Sequence, residues 1–426
     1  MNYRNDLDFA RQMDEKDPLK LFRQKFFIPQ HNGGDSVYFT GNSLGLQPKT
    51  TIQYIQQELN DWAELGVEGH LKAKNPWLSY HEMFAEPISK IVGAGKDEVV
   101  VMNQLTVNLH LLMASFYRPS GKRTKIICEA KAFPSDQYAL ESQAKLHGLD
   151  PNEVIVEVGP REGQYNIRTE DIISAIDQHA GELCLVLIGG VNYYTGQVMD
   201  MATITKAAHN AGAYAGFDLA HAAGNIQLHL HDWEVDFACW CSYKYLNSGP
   251  GGVSGVYIHS RHASNTELPR MAGWWGYEKE TRFKMRSGFQ PIPTAEGWQL
   301  SNAPVLSMAA HKASLDIFSE AGMEALTEKS KLLTGFLFFI LDEINKEHKD
   351  KIIEVITPRE EGKYGCQVSM LMLKNGKEVF NALMEQGMIA DWREPNVIRV
   401  APVPSYNSFE DVWKFGSIMK TVLSGS

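Results

Sequence analysis

From Thr51 to His259 the chain alternates helical periodicity with short apolar runs, and those runs constrain the fold more than anything else in the sequence. VVVMN, KIICEA, EVIVEV, CLVLIGGV, AYAGFDL, FACWCS and GVYIH recur between helix-like segments such as TVNLHLLMASFY and MATITKAAHNAG. Several of them are apolar at nearly every position, where a strand with one wet face would alternate. Strands buried on both faces need helices as cover, so the order predicts an α/β architecture on a mostly parallel sheet. After Asn302 the texture changes to two long helices, the second from about Met323 to Lys346, then KIIEVITP, CQVSMLML, a helix, VIRVAPV and a final helix. That pattern predicts a smaller α+β unit. The first fifty residues, a polar helix followed by the Gly-, Asn- and Pro-rich QHNGGDSVYFTGNSLGLQPK, read as an arm that runs over a surface or lines a cleft. The expected division is therefore 1–50, 51–305 and 306–426, with no internal repeat.

A chain of 426 residues with 44% hydrophobic and 22% charged residues can bury a large core. Its net charge of -10 disfavours nucleic acid as a partner, and an anionic small ligand would need a locally cationic pocket. The five cysteines are odd in number and sit mostly in apolar runs, as buried thiols of a reducing compartment do. MNYRNDLDFARQMDEKD lacks the apolar core of a secretory signal. The most apolar stretch, LLTGFLFFIL, has half of the roughly 20 residues a membrane span needs. A cytoplasmic protein without membrane contact is expected.

The chemistry concentrates in VDFACWCSYKYLNSGPGGVSG, where Lys244 ends an apolar run and a glycine-rich loop follows. A lysine desolvated at a strand end has a lowered pKa and can form imines. Read alone, it is more simply a side chain snorkelling to the surface. Twenty-six residues earlier, GFDLAH places Asp218 at the carboxyl end of another apolar strand, with His221 three residues on. Ligands of open α/β sheets bind outside those strand ends, so Lys244 and Asp218 are candidates for one crevice. Asp218 alone could equally be a strand-end cap. As a pair they suit pyridoxal phosphate, the lysine holding its aldehyde and the carboxylate keeping its ring nitrogen protonated. A phosphate then calls for a helix N-terminus, and Thr106 stands where one begins, as an anion ligand or an ordinary N-cap. Phe133, after KIICEA, could stack on a flat ring or simply pack its loop.

Other motifs fail on context. GPGGVSG, from Gly249 to Gly255, has the wrong spacing for G-x-G-x-x-G and precedes a strand rather than following one. There is no P-loop. His229 and His231 could share a strand face, as could Cys239 and Cys241, but neither pair has a completed zinc-type ligand set, so no metal site is expected.

With Lys244, Asp218, His221, Thr106 and Phe133 in this order, the chain resembles the aminotransferase-fold (fold type I) pyridoxal phosphate enzymes, and within them the kynureninase family. YFTGNSLGLQPK, EGHLKAKNPW, LTVNLHLLMASFY, EAKAFPSDQYALESQ, YYTGQ, GFDLAHAAGN, HDWEVDFACWCSYKYLNSGPGG, TRFKM, LSNAP and IRVAPVPSYNSFEDV carry the resemblance over nearly the whole chain. It implies a seven-stranded-type sheet in the large domain, and Lys244 as the Schiff-base lysine with Asp218 and His221 at the pyridine ring. It further implies Leu105, Thr106, Phe133, Pro134, Ser135 and Asp136 in the cofactor pocket, and Tyr243 at the phosphate or as a proton relay. Trp274 and Asn302 would reach the phosphate from the partner subunit of a homodimer, and Arg399 would clamp the substrate's α-carboxylate. One position departs: where relatives can carry a serine counted among the cofactor contacts, this chain has Gly189, which leaves only a backbone contact. His70, Ser301 and Asn302 resemble the branch that favours 3-hydroxykynurenine. The implied reaction is hydrolytic Cβ–Cγ cleavage of L-kynurenine or 3-hydroxy-L-kynurenine to anthranilate or 3-hydroxyanthranilate plus L-alanine, in tryptophan catabolism and NAD biosynthesis. A cysteine desulfurase, an aminotransferase and a cofactor-free scaffold are the competing readings.

Overall fold

The computed structural model describes residues 1–424. Its main sheet is built from β1 (Val99–Val101), β2 (Lys125–Glu129), β3 (Ile155–Val158), β4 (Leu183–Gly189), β5 (Tyr214–Asp218), β6 (Phe237–Trp240) and β7 (Gly255–Ile258). The spatial order is β1-β7-β6-β5-β4-β2-β3, parallel except for β7, which runs antiparallel to both of its neighbours. The mostly parallel seven-stranded sheet implied by the resemblance is therefore present. The chain leaves β2 for β3 on one side and proceeds from β4 to β5 and β6 on the other, so the strand order reverses between β2 and β4. Crevices at such reversals, outside the carboxyl ends of the strands, are where α/β sheets bind ligands.

Unbroken apolar runs become strands here because both faces are covered. On β6, Phe237 and Cys239 enter one hydrophobic layer and Ala238 and Trp240 the other. Leu185 and Val186 on β4 are fully buried, each contributing about 1.5–3 kcal/mol through the area removed from water. Among the covering helices, α1 (Leu105–Phe116) follows β1 and α2 (Pro134–Leu146) follows β2. The C-terminal part adds α3 (Met323–Lys346), an antiparallel sheet in the order β8-β9-β11-β10 and the last helix α4 (Phe409–Ser424). Its strands are β8 (Ile353–Val355), β9 (Val368–Met372), β10 (Asp391–Arg393) and β11 (Val397–Val400).

Some local expectations shift. Glu153 and Val154 are not strand: Asp150 accepts from the Asn152 amide and Pro151 opens a helical turn over Pro151–Val154, so β3 starts at Ile155. Neither His229 nor His231 is on a strand: His229 lies in irregular backbone just before the turn that holds His231, and the His231 ring pairs with buried Glu98 at 2.9 Å. The arm is more deeply built in than a surface run. Phe9, Ala10 and Met13 of its helix Leu7–Lys16, with Val37 and Phe39, belong to the hydrophobic core formed by α3, α4 and the second sheet. Val37–Tyr38 pairs in parallel with Met388–Ile389. Asp14 accepts from the Phe409 and Glu410 amides at 2.7 and 3.0 Å, capping α4 from 395 residues away in the chain. Beyond that strand the arm reaches the loop that bears Lys244: the Gly45 amide donates to the Tyr243 carbonyl at 2.8 Å, and Asn247 Nδ2 donates to the Leu46 carbonyl at 2.9 Å.

Candidate active site

The carboxyl ends of β2, β4, β5 and β6 surround a cavity lined by Glu129, Phe133, Ser135, Asp136, Gly189, Val191, Tyr193, Asp218, Ala220, His221, Cys241, Tyr243 and Lys244, and Leu105 and Thr106 close it from the start of α1. Lys244 comes four residues after β6. Its Nζ lies 2.9 Å from His221 Nε2 and 5.9 Å from the ring centroids of both Phe133 and Tyr243. Burial, reinforced by the charges of Lys244, Arg399 and Arg393, pushes the His221 imidazolium well down, so the ring is neutral and Nε2 accepts from the amine. His221 Nδ1 then carries the hydrogen, and it is buried without a partner.

Asp218, the last residue of β5, is 8% exposed, and its Oδ1 accepts from the Ala220 amide at 2.6 Å. Burial raises its pKa, while the Ala220 amide, the Lys244 charge and a hydrogen bond from Asp136 favour its ionised form. Asp136, in the first turn of α2, is pushed well up by burial and then by the Asp218 charge. The proton of this pair therefore sits on Asp136, and the negative charge sits on Asp218.

At the other end, α1 begins at Leu105. Its N-cap is Gln104, which makes no side-chain capping bond, so Thr106 is the second helical residue and not the cap. The first intrahelical bond runs from the Asn108 amide to the Gln104 carbonyl at 3.0 Å. The amides of Leu105, Thr106 and Val107 precede it and are free to meet an anion at the positive end of the helix dipole. Phe133 caps α2 with Pro134 behind it, and its half-exposed ring stands edge-on to Tyr193 at 5.3 Å. The Tyr243 phenol is pushed up by burial and then by Cys241, so it enters the site as a neutral hydroxyl.

Arg399 on β11 is 1% exposed. Its Nη1 donates to the Tyr193 carbonyl at 2.5 Å, its Nη2 donates to Asp391 at 2.6 Å, and its Nε has no partner. It sits behind Tyr193, one residue from the cavity wall. Trp274, His70, Ser301 and Asn302 do not reach the cavity of their own chain. Trp274 is half-exposed and donates to the Arg282 carbonyl at 3.3 Å, His70 stands edge-on to Trp77, and Ser301 and Asn302 are exposed. Sequence reasoning missed Glu129, Tyr193 and Cys241. All three lie in runs already singled out, Glu129 at the head of EAKAFPSDQYALESQ, Tyr193 in YYTGQ and Cys241 in FACWCS, but nothing within those runs marked them as site residues.

The residues fit pyridoxal phosphate: an amine, a carboxylate held ionised at a strand end, unpaired amides at a helix start, and buried unpartnered atoms at His221 Nδ1 and Asp136 Oδ1. Residues 326–419 match the family profile described as the kynureninase C-terminal domain. The chain is 57% identical over 420 residues to the kynureninase of Flavobacterium psychrophilum, covering 99% of each. The chain belongs to the kynureninase family. It is 52% identical to the Myxococcus xanthus kynureninase over 96% of this chain and 95% of that one. With the Nematostella vectensis kynureninase the identity is 47%, over 97% and 93%. Among solved structures, the fold resembles a C-DES mutant with glycine covalently linked to its pyridoxal phosphate, at TM-score 0.74 and 16% identity, covering 90% of this chain and 96% of that one. It also resembles the apo cysteine desulfurase of Thermococcus onnurineus, at TM-score 0.72 and 18% identity, covering 92% and 95%. The fold is that of the fold type I enzymes, and the kynureninase family uses pyridoxal phosphate.

Proposed function

We propose that this chain hydrolyses the Cβ–Cγ bond of L-kynurenine or 3-hydroxy-L-kynurenine, giving anthranilate or 3-hydroxyanthranilate and L-alanine. The observation that carries the reading is the convergence of Lys244, His221 and Asp218 with a helix N-terminus where the strand order reverses, in a chain of this family. When bound, pyridoxal phosphate supplies an electron sink for the pair released at the substrate's Cα. Lys244 gives the amine that holds the cofactor and, once the substrate amine displaces it, the base that takes the Cα proton. Neutral His221 accepts from that amine and fixes Nζ in place. Asp218, its charge steadied by the Ala220 amide and the Asp136 proton, would hold the ring nitrogen protonated. Thr106 and the free amides of α1 would hold the phosphate, and Phe133 and Ala220, which line the same cavity, would lie against the ring. Tyr243, a neutral phenol, donates to the phosphate or hands a proton to the reacting carbons. Arg399, oriented by Asp391 and the Tyr193 carbonyl, turns its remaining donors to the α-carboxylate. Water adds to the side-chain ketone, the Cβ–Cγ electrons go to Cβ, which is protonated, and the ketone carbon leaves as the aryl carboxylate.

His70, Ser301, Asn302 and Trp274 complete the site from a second copy of the chain, in a cytoplasmic homodimer whose protomer divides into an arm (1–50), a cofactor-binding domain (51–305) and a small domain (306–426). The exposure of Trp274, Ser301 and Asn302 in the single chain supports this arrangement. Among the described residues no helix is long and apolar enough to cross a membrane. The rival desulfurase chemistry needs a nucleophilic thiol, whereas all five cysteines are buried and burial pushes the Cys366 thiol up to about 12. Cofactor-loaded protein given L-kynurenine and, separately, L-cysteine tests the reading. Anthranilate fluorescence from the first supports it. Sulfide from the second, or conversion of the cofactor to its amine form, contradicts it.

A further inference from the structure

Glu129, the last residue of β2, is a buried acid at the heart of an already acidic pocket. It is 5% exposed, and its two carboxyl oxygens lie 3.1 and 3.2 Å from the Gly189 backbone nitrogen, which donates to them. Gly189 stands in register with Asp218 on the neighbouring strand, so the Glu129 carboxyl is anchored next to the residue that faces the ring nitrogen. Glycine makes that anchor available: a Cβ at position 189 would stand 2.9 Å from Glu129 Oε1 and push the carboxyl off the amide.

The groups that face Glu129 are mostly acidic. Asp218 comes from β5, Asp136 from α2 and Cys128 from its own strand, and each is coupled to it electrostatically. Lys244 is the cation of the set, and it acts on Asp136 and Asp218. Three carboxyls that share one dry pocket with one amine do not all ionise.

We propose that Glu129 is a positioning residue for Asp218: held on the Gly189 amide beside that carboxylate, it sets the field at the cofactor's ring nitrogen. This rests on the reading of Lys244 and Asp218 as the cofactor site. Burial, aided by the Asp218 charge, outweighs the backbone amides, that of Gly189 among them, which favour the ionised form, and brings Glu129 up to about 7. Below that pH the group is neutral, and above it a second negative charge appears beside Asp218, so the bound cofactor senses the change.

The test is the visible absorbance of the holoenzyme titrated across neutral pH, in wild type and in Glu129→Gln, which keeps the shape and the amide-accepting oxygen but cannot ionise. The expected result is an inflection near pH 7 in wild type that is missing from Glu129→Gln. Gly189→Ala, which crowds the same carboxyl without changing its chemistry, should move the inflection and serves as the comparison if the glutamine variant folds poorly. Superimposable titrations for wild type and the variants would overturn the proposal. Protein with no visible cofactor band at any pH would overturn the cofactor reading instead, so the two failures are distinguishable.

Discussion

The Lys244 amine donates to Nε2 of His221 across 2.9 Å, and this contact joins the strand end of β5 to the loop after β6. It organises the site because the imidazole is buried and neutral, an acceptor that holds Nζ without competing for charge. The remaining groups are then arranged by charge around that amine: Asp218 ionised at one end, and the α1 amides at the other.

Lys244→Ala removes both the covalent tie to the cofactor and the base at Cα. The visible band of the loaded protein should shift towards that of free cofactor, and kcat should fall on the order of 10²- to 10⁴-fold, the usual weight of a positioned proton-transfer group. Absorbance and steady-state kinetics on one preparation check both.

Asp218→Asn keeps the volume and loses the charge that faces the ring nitrogen. It also replaces the ionised acceptor of the Asp136 proton with a neutral one. A drop in kcat of roughly 10²- to 10³-fold is expected, comparable to the loss of a preorganised electrostatic partner, together with weaker cofactor retention on dialysis.

Arg399→Met should reduce kcat/KM by about 10- to 150-fold through loss of a charge-assisted carboxylate contact of roughly 1.5–3 kcal/mol. Asp391→Ala attacks the same arginine from behind. Because Arg399 is buried, stripping its partner leaves an uncompensated charge and should cost about 3–5 kcal/mol of folding stability, readable by denaturant titration.

Acid stability gives an independent check away from the site. Burial works against the ionised form of Glu296, but the His81 ring at 2.8 Å and Lys279 at 2.7 Å outweigh it and hold the carboxyl at about 2. A carboxylate depressed in the folded state stabilises fully above its unfolded value, about 4.3, and loses that contribution as pH falls towards its folded value. Thermal midpoints of the wild type should decline through that window more steeply than those of Glu296→Gln.

Much of this was legible in the sequence. The unbroken apolar runs exposed the two-faced burial of the sheet, and Lys244, Asp218, His221 and Thr106 were found because each follows a strand or opens a helix. Glu129 was not legible: it ends a strand inside KIICEA and looks like a solvated terminus until β4 and β5 are packed beside it. The arm's contribution to the C-terminal core was hidden for a similar reason, since Phe9, Ala10 and Met13 are a sparse apolar set in a charged helix whose partners lie more than 300 residues away. His70, Trp274, Ser301 and Asn302 could be matched by motif, but in the fold they lie away from the cavity of their own chain.

The most direct measurement follows L-kynurenine and cofactor-loaded protein to completion, quantifying anthranilate by fluorescence and alanine by mass spectrometry. The account predicts equal amounts of the two, with one oxygen of the anthranilate carboxylate drawn from water and both formed on the order of 10²- to 10⁴-fold more slowly by Lys244→Ala. Kynurenine consumed without alanine, or alanine formed equally well by Lys244→Ala, would contradict it.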